Sequence, residues 1–131
     1  VIIISVKDVM SKTIVSVPPN TPIRKVAEVM YGKSIGSVLV LDDQGRPLGI
    51  FTERDLVRVI ALGIDLDTPI EKVMSTRLIT ASVNESVVEV AHKMVENWVR
   101  HLPVLDESGK VVGVISIRDV LRAYVAGSTF P

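Results

Sequence analysis

From residue 14 to residue 62 the apolar positions change their period several times. IVSV (14–17) is a short run of branched residues, the composition of a strand. Ile23, Val26, Ala27 and Met30 then recur at i, i+3, i+4 and i+7, the spacing of a helix with one buried stripe. Thr21, with Pro22 as first helical residue, is the predicted start of that helix. SVLVLD (37–42) returns to strand character, DDQG (42–45) supplies turn chemistry, and PLGIFT (47–52) is the second arm of a hairpin. ERDLVRVIAL (53–62) reads as a closing helix, with Gly63 where a left-handed C-cap is expected.

The same sentence is then written again at an offset of 64 residues, without a gap. Val9-Met10-Ser11 falls on Val73-Met74-Ser75, Asn20 on Asn84, and Val26-Ala27 on Val90-Ala91. Val40-Leu41-Asp42 falls on Val104-Leu105-Asp106, and Arg54-Asp55 and Arg58 fall on Arg118-Asp119 and Arg122. The second copy reads as strand LITA (78–81), a helix opened by Asn84-Glu85, strands HLPVLD (101–106) and VVGVIS (111–116), and helix IRDVLRAYVA (117–126) closed by Gly127. The expected fold is α+β: two β-α-β-β-α repeats, residues 1–62 and 70–131, joined by a linker at 63–69. One such repeat is too small to bury a comfortable core alone. The two are therefore expected to pack about a pseudo-twofold axis, with equivalent residues facing a shared groove.

Composition narrows the function. The 131 residues are 47% hydrophobic, and 15 Lys and Arg balance 15 Asp and Glu. That balance disfavours a general nucleic-acid binder, which needs a basic excess. With no cysteine, disulfides and thiolate metal sites are excluded. No apolar run approaches the roughly 18 residues of a membrane helix, and VIIIS is too short for a signal peptide. The expectation is a soluble cytoplasmic protein. Sparse Asn and Gln with abundant Ile and Val lean towards a thermophilic source.

The candidate chemistry lies at the two strand-to-helix corners, GIFTERDL (49–56) and GVISIRDV (113–120). Thr52 with Asp55, and Ser116 with Asp119, have the spacing of a capping box, worth about 1 kcal/mol. The same geometry suits a nucleotide. A helix N-terminus attracts phosphate, an Asp in its first turn can accept from two vicinal hydroxyls, and the Thr or Ser completes the contact. Gly49 and Gly113, followed by Ile50 and Val114, would let a flat ring lie close to the strand.

The pattern G-h-x-h-[ST]-x-x-D in both copies, with V-M-S at each start and a D-x-x-G hairpin, resembles a tandem pair of CBS (cystathionine-beta-synthase) domains, a Bateman module. The resemblance spans residues 7–126. It implies two clefts that bind AMP, ADP, ATP or S-adenosylmethionine as regulatory ligands, with no catalytic cofactor, and pairs that dimerise into flat assemblies. Carried over residue by residue, it implies ribose contacts at Thr52 with Asp55 and at Ser116 with Asp119. Base and phosphate contacts are implied to come largely from the opposite copy. For the first corner these are Leu78 and Ile79 at the base and Val99-Arg100-His101 at the phosphates. For the second they are Ile14, Val15, Ile35, Gly36 and Ser37. Arg54 and Arg118 are placed to reach phosphates as well. Because Arg100-His101 aligns with Gly36-Ser37, only the Thr52/Asp55 cleft is expected to gain an Arg and a titratable His. It is therefore expected to hold the more phosphorylated ligand, or to hold it tighter.

Other signals carry less. Gly32-Lys33-Ser34 resembles the tail of a phosphate loop, but Ala27 stands where its first Gly belongs and the segment ends a helix. His92 and His101 have no carboxylates arranged with them as a metal set. Trp98 at helical spacing reads as packing rather than as a base platform. Ser11 and Ser75 lack an adjacent His, so no nucleophile–base pair is visible and no enzyme is expected. Met10, Met30, Met74 and Met94 read as core filler. The alternative to ligand sensing is a structural dimerisation module whose Asp residues only cap helices. Double substitution of Asp55 and Asp119 separates the two.

Overall fold

Both copies fold largely where the apolar period predicts. The computed structural model describes residues 3–127. Its first half runs α1 (Val6–Val9), β1 (Ser16–Val17), α2 (Ile23–Lys33), β2 (Ser37–Leu41), β3 (Pro47–Thr52) and α3 (Glu53–Ala61), then a single 3-10 turn at Ile70–Lys72. The second half runs β4 (Ala81–Ser82), α4 (Val87–Asn97), β5 (His101–Leu105), β6 (Val111–Ser116) and α5 (Ile117–Gly127). The strands form two sheets, β1-β2-β3 and β4-β5-β6. In each, the first pair is parallel and the second antiparallel. The expected α+β class is the observed one.

The borders of the compact units differ from those of the repeat. One unit is Val15–Leu78; the other joins residues 3–14 to residues 79–127. In the first, Val38, Leu39 and Val40 of β2 are all buried, as a strand covered on both faces requires. Ile23, Val26 and Met30 of α2 pack there with Phe51, Val59 and Ile70. Residues 63–69, read as a linker, belong to this unit's packing. Ile64 and Leu66 lie against the core. Ile23 N–H donates to the Thr68 carbonyl and Arg24 N–H to that of Leu66. In the second unit the N-terminal segment supplies the matching layer. Val6 is fully buried among Val90, Met94, Leu102 and Ile115, its N–H donates to the Glu85 carbonyl, and Val87 N–H donates to that of Ile4.

Each V-M-S segment thus pairs with the sheet of the other repeat. Ser11 bridges Val114, and Ser75 bridges Ile50. This explains Gly49 and Gly113 differently from the expected approach of a ring. A Cβ on Gly49 would lie 2.5 Å from Met74 Sδ and 2.8 Å from the Ser75 carbonyl oxygen; on Gly113 it would lie 2.6 Å from Met10 Sδ and 2.8 Å from that of Ser11. The glycines make room for the chain itself.

Three local expectations shift. Pro22 is the N-cap of α2 rather than its first residue, and the Thr21 hydroxyl donates to the Pro18 carbonyl. Helix α4 opens at Ser86, whose hydroxyl accepts from Glu89 N–H in a complete capping box, two residues beyond Asn84. The strands read at 14–17 and 78–81 reduce to two residues each. In the first sheet Leu39 N–H donates to the Val15 carbonyl; its counterpart Pro103 has no N–H to give, and β4 first pairs at Val104. The hairpin turns form as read. Asp42 Oδ1 accepts from the N–H groups of Gln44 and Arg46, and Asp106 Oδ1 from those of Ser108 and Lys110. The Arg46 N–H holds the Asp42 carboxyl below its ordinary range, and the Ser108 hydroxyl does the same for Asp106. Gly63 adopts a left-handed φ of 66° after α3, as expected, whereas the C-cap expected at Gly127 turns on residues outside those described. No helix among the described residues is long and apolar enough to cross a membrane.

Candidate functional site

The two corners are built alike. Thr52 ends β3 with extended backbone, so its side chain faces the first turn of α3. Its Oγ1 accepts from Asp55 N–H at 3.3 Å, and Asp55 Oδ2 accepts in return from Thr52 N–H at 3.0 Å and from the Thr52 hydroxyl at 3.2 Å. At the end of β6, Ser116 Oγ accepts from Asp119 N–H at 3.1 Å. Asp119 Oδ2 accepts from Ser116 N–H at 2.8 Å and from its hydroxyl at 3.0 Å. Both carboxylates are buried, Asp55 at 8% and Asp119 at 9% exposure. A buried charge must be paired, and each has an arginine one turn on: Arg58 at 3.4 Å from Asp55 and Arg122 at 3.5 Å from Asp119. The capping reading is therefore correct for both corners.

The capping bonds use Oδ2, which leaves Oδ1 to other partners. Here the copies part. Ser75 donates to Asp55 at 3.3 Å (Oδ1) and 3.4 Å (Oδ2), and Arg58 is anchored by a 2.6 Å bond to the Val73 carbonyl. At the other corner the equivalent Ser11 hydroxyl turns to Thr13 instead, bonding its carbonyl at 3.5 Å and accepting its N–H at 3.2 Å. Among the described residues Arg122 is the partner of Asp119 Oδ1.

The surroundings also differ in charge. The antiparallel register sets Ser37 opposite Thr52 and His101 opposite Ser116. Glu53 N–H donates to the Gly36 carbonyl, and Ile117 N–H to that of Arg100. Arg100 and His101 thus stand beside the Ser116/Asp119 corner of their own unit, and Gly36 and Ser37 beside Thr52. The hairpin itself sets this register, bringing the first residue of one strand opposite the last of the next. At the Thr52 corner a carboxylate takes the corresponding place: a Cβ on Gly36 would lie 2.8 Å from Glu53 Oε1.

Arg54, Arg118 and Arg100 are exposed; Ile35, Ile50 and Val114 are half-buried. Ile14-Val15 and Leu78-Ile79, half-buried as well, lie where the chain passes from one unit to the other. His92 is exposed, as expected of a solvated helix residue. Trp98 departs from expectation. It is 89% exposed and caps α4 in the left-handed conformation, φ 57°, so it is not packing. Sequence reasoning missed Ser75 as a partner of the Thr52/Asp55 corner, because only the exchange of V-M-S segments brings it there.

Two buried carboxylates at paired strand-to-helix corners, one in each of two matching α+β units, define a CBS-type pair. The CBS domain family model matches residues 6–62 and again residues 70–126, and the chain belongs to that family. It is 36% identical over 118 residues to an uncharacterized 17.7 kDa protein of Acidianus ambivalens, covering 90% of this chain and 71% of that one. Among solved structures it is similar to the CBS domain pair of protein MJ0100 in complex with 5′-methylthioadenosine and S-adenosyl-L-methionine, with a TM-score of 0.89 at 29% identity, covering 97% of this chain and all of that one. The CBS domain protein PAE2072 from Pyrobaculum aerophilum, complexed with AMP, gives a TM-score of 0.85 at 29% identity, covering 95% of this chain and all of that one.

Proposed function

We propose that the chain is a regulatory module that binds adenosine derivatives at the Thr52/Asp55 and Ser116/Asp119 corners. The observation that carries this reading is the buried carboxylate at each helix N-terminus, held by its cap through one oxygen while the other lies beside an arginine. Such an oxygen accepts from the hydroxyls of a ribose, and the helix N-terminus with Arg54 or Arg118 favours a phosphate. The similar pairs crystallised with AMP and with S-adenosyl-L-methionine and 5′-methylthioadenosine support the ligand class. The base contacts assigned to Ile14, Val15, Leu78 and Ile79 remain part of this proposal. With Arg100 and His101 beside Ser116, and Glu53 beside Thr52, the phosphorylated ligand belongs at the Ser116/Asp119 corner. The role is sensing, without chemistry: a ligand preferring one arrangement of the protein shifts the population towards it. Adenine nucleotides are solutes of the cell interior, so the proposed location is the cytoplasm.

A thermal-shift screen with AMP, ADP, ATP and S-adenosylmethionine tests this. Ligand at about 100 times its Kd stabilises by about 2.7 kcal/mol. The Asp55→Asn/Asp119→Asn double variant, whose amides still cap, is expected to lose the shift while keeping its fold. No shift for the unmodified protein with any of the four would leave the structural-module reading, which the fully internal capping bonds favour.

The same proposal includes a homodimer. Tyr31, Val57 and Ile60 in one unit, and Val95, Leu121 and Tyr124 in the other, are exposed apolar residues on the helices. In the first unit Tyr31 and Ile60 line a groove of about 420 Å³ together with Ala27, Leu56 and Leu66. A second copy would cover these faces. Ile60→Asp/Tyr124→Asp is expected to sediment as a monomer and the unmodified chain as a dimer; a monomeric parent refutes the dimer.

A further inference from the structure

Among the described residues Ser75 is the one hydroxyl outside the caps that bonds a corner carboxylate, that of Asp55. Its backbone and that of Ser11 are equivalent. Ser75 N–H and C=O pair with Ile50 at 2.9 and 3.0 Å, and those of Ser11 pair with Val114 at 2.9 and 3.0 Å. The difference lies in the hydroxyls. That of Ser11 bonds the backbone N–H and C=O of Thr13, two residues on. Arg77 stands two after Ser75 with the same kind of backbone, yet the Ser75 hydroxyl reaches Asp55 instead.

We infer that Ser75 sets the two corners apart by occupying the carboxylate oxygen that a ribose hydroxyl needs, so that the Ser116/Asp119 corner binds nucleoside tighter than the Thr52/Asp55 corner. This rests on the nucleoside-binding reading and names the residue that ranks its two sites. Asp55 Oδ1 already accepts from Ser75 and faces Arg58, itself anchored on Val73. A ribose arriving there exchanges one hydrogen bond for another and gains little net. Asp119 Oδ1 faces only the more exposed Arg122 among the described residues, so a ribose adds a bond without displacing one. Ser75 acts through Asp55, as a positioning residue.

Isothermal titration with AMP tests this with single-corner variants. Asp119→Asn leaves the Thr52/Asp55 corner alone, and Asp55→Asn leaves the other. Asp55→Asn is expected to bind AMP about ten-fold tighter than Asp119→Asn, the size of one modest hydrogen bond to a charged group. Adding Ser75→Ala to Asp119→Asn is expected to recover about that ten-fold. The AMP phosphate is the same in both members of that pair, so the charge difference between corners does not enter. Adding Ser11→Ala to Asp55→Asn is expected to change nothing, because the Ser11 hydroxyl is committed to Thr13. Equal affinities with and without Ser75→Ala would overturn the inference while leaving the nucleoside reading standing. So would tighter binding by Asp119→Asn than by Asp55→Asn. Absence of any heat from the unmodified protein with AMP and with S-adenosylmethionine would remove the nucleoside reading and this inference with it.

Discussion

At the scale of single residues, repeated identity conceals two kinds of position. Gly49 and Gly113 are equivalent in sequence and in use, each lying under a methionine sulfur and a serine carbonyl oxygen from the exchanged segment. The carbonyl belongs to a paired backbone, so it cannot move aside as a flexible side chain would. Gly49→Ala and Gly113→Ala are each expected to destabilise the protein by about 1–3 kcal/mol, read as a lower urea midpoint. Gly32 lies in α2 with nothing within 4 Å of a Cβ. Gly32→Ala is expected to stabilise by about 0.5 kcal/mol through helix propensity. A neutral Gly113→Ala would mean that the Ser11–Val114 bridge is not held. Ser11 and Ser75 are the second kind: equivalent in sequence, but with different hydroxyl partners. The sequence displayed their alignment and could not display the difference, which depends on a side-chain rotamer and a long-range pairing.

Elements were the most legible level, for a physical reason. The 3.6-residue stripe of Val87, Val90 and Met94 decides which helix face is buried, and all three are buried. Ends are decided by weaker, competing terms. Asn84 and Ser86 are both good N-caps, and what selects Ser86 is Glu89 three residues on, reaching back to the Ser86 N–H. That Ser-x-x-Glu signature was present in the sequence and would have placed the start correctly. Ser86→Ala is expected to lower stability by about 1 kcal/mol, while Asn84→Ala, whose side chain makes no cap, stays within about 0.5 kcal/mol of the parent. Thermal unfolding of the two variants checks this, and the reverse order would restore Asn84 as the cap. The start of β4, one residue later than the equivalent of β1, has a different cause. Proline at position 103 is compatible with a buried run of apolar residues, so HLPVLD read as a strand. Its missing N–H shows only when the neighbouring strand is known.

For the molecule as a whole, the repeat is a unit of sequence but not a unit of packing. Residues 1–62 contain β1 to α3 but lack Ile70, Val73 and Met74, which close the core over Phe51 and Val59. Residues 70–131 lack Ile4, Val6, Val9 and Met10, which close the other core. Periodicity could not foresee this, since a V-M-S segment has the same pattern whichever sheet it joins. The continuous segment Val15–Leu78 contains every residue of the first core. A chain of this length buries only about 60% of the surface its unfolded form exposes, so any fragment is marginal. Loss of a fully buried Ile side chain such as Ile70 forfeits about 1.5–3 kcal/mol more, enough to decide whether such a fragment folds. A fragment of residues 15–78 is therefore expected to show cooperative urea unfolding and a helical circular dichroism spectrum. A fragment of residues 1–62, nearly the same length and containing one intact sequence repeat, is expected to show neither. Equal unfolding behaviour of the two would mean that the exchanged segments contribute little to folding. A cooperative 1–62 beside a disordered 15–78 would show that the sequence repeat, and not the packed unit, is what folds.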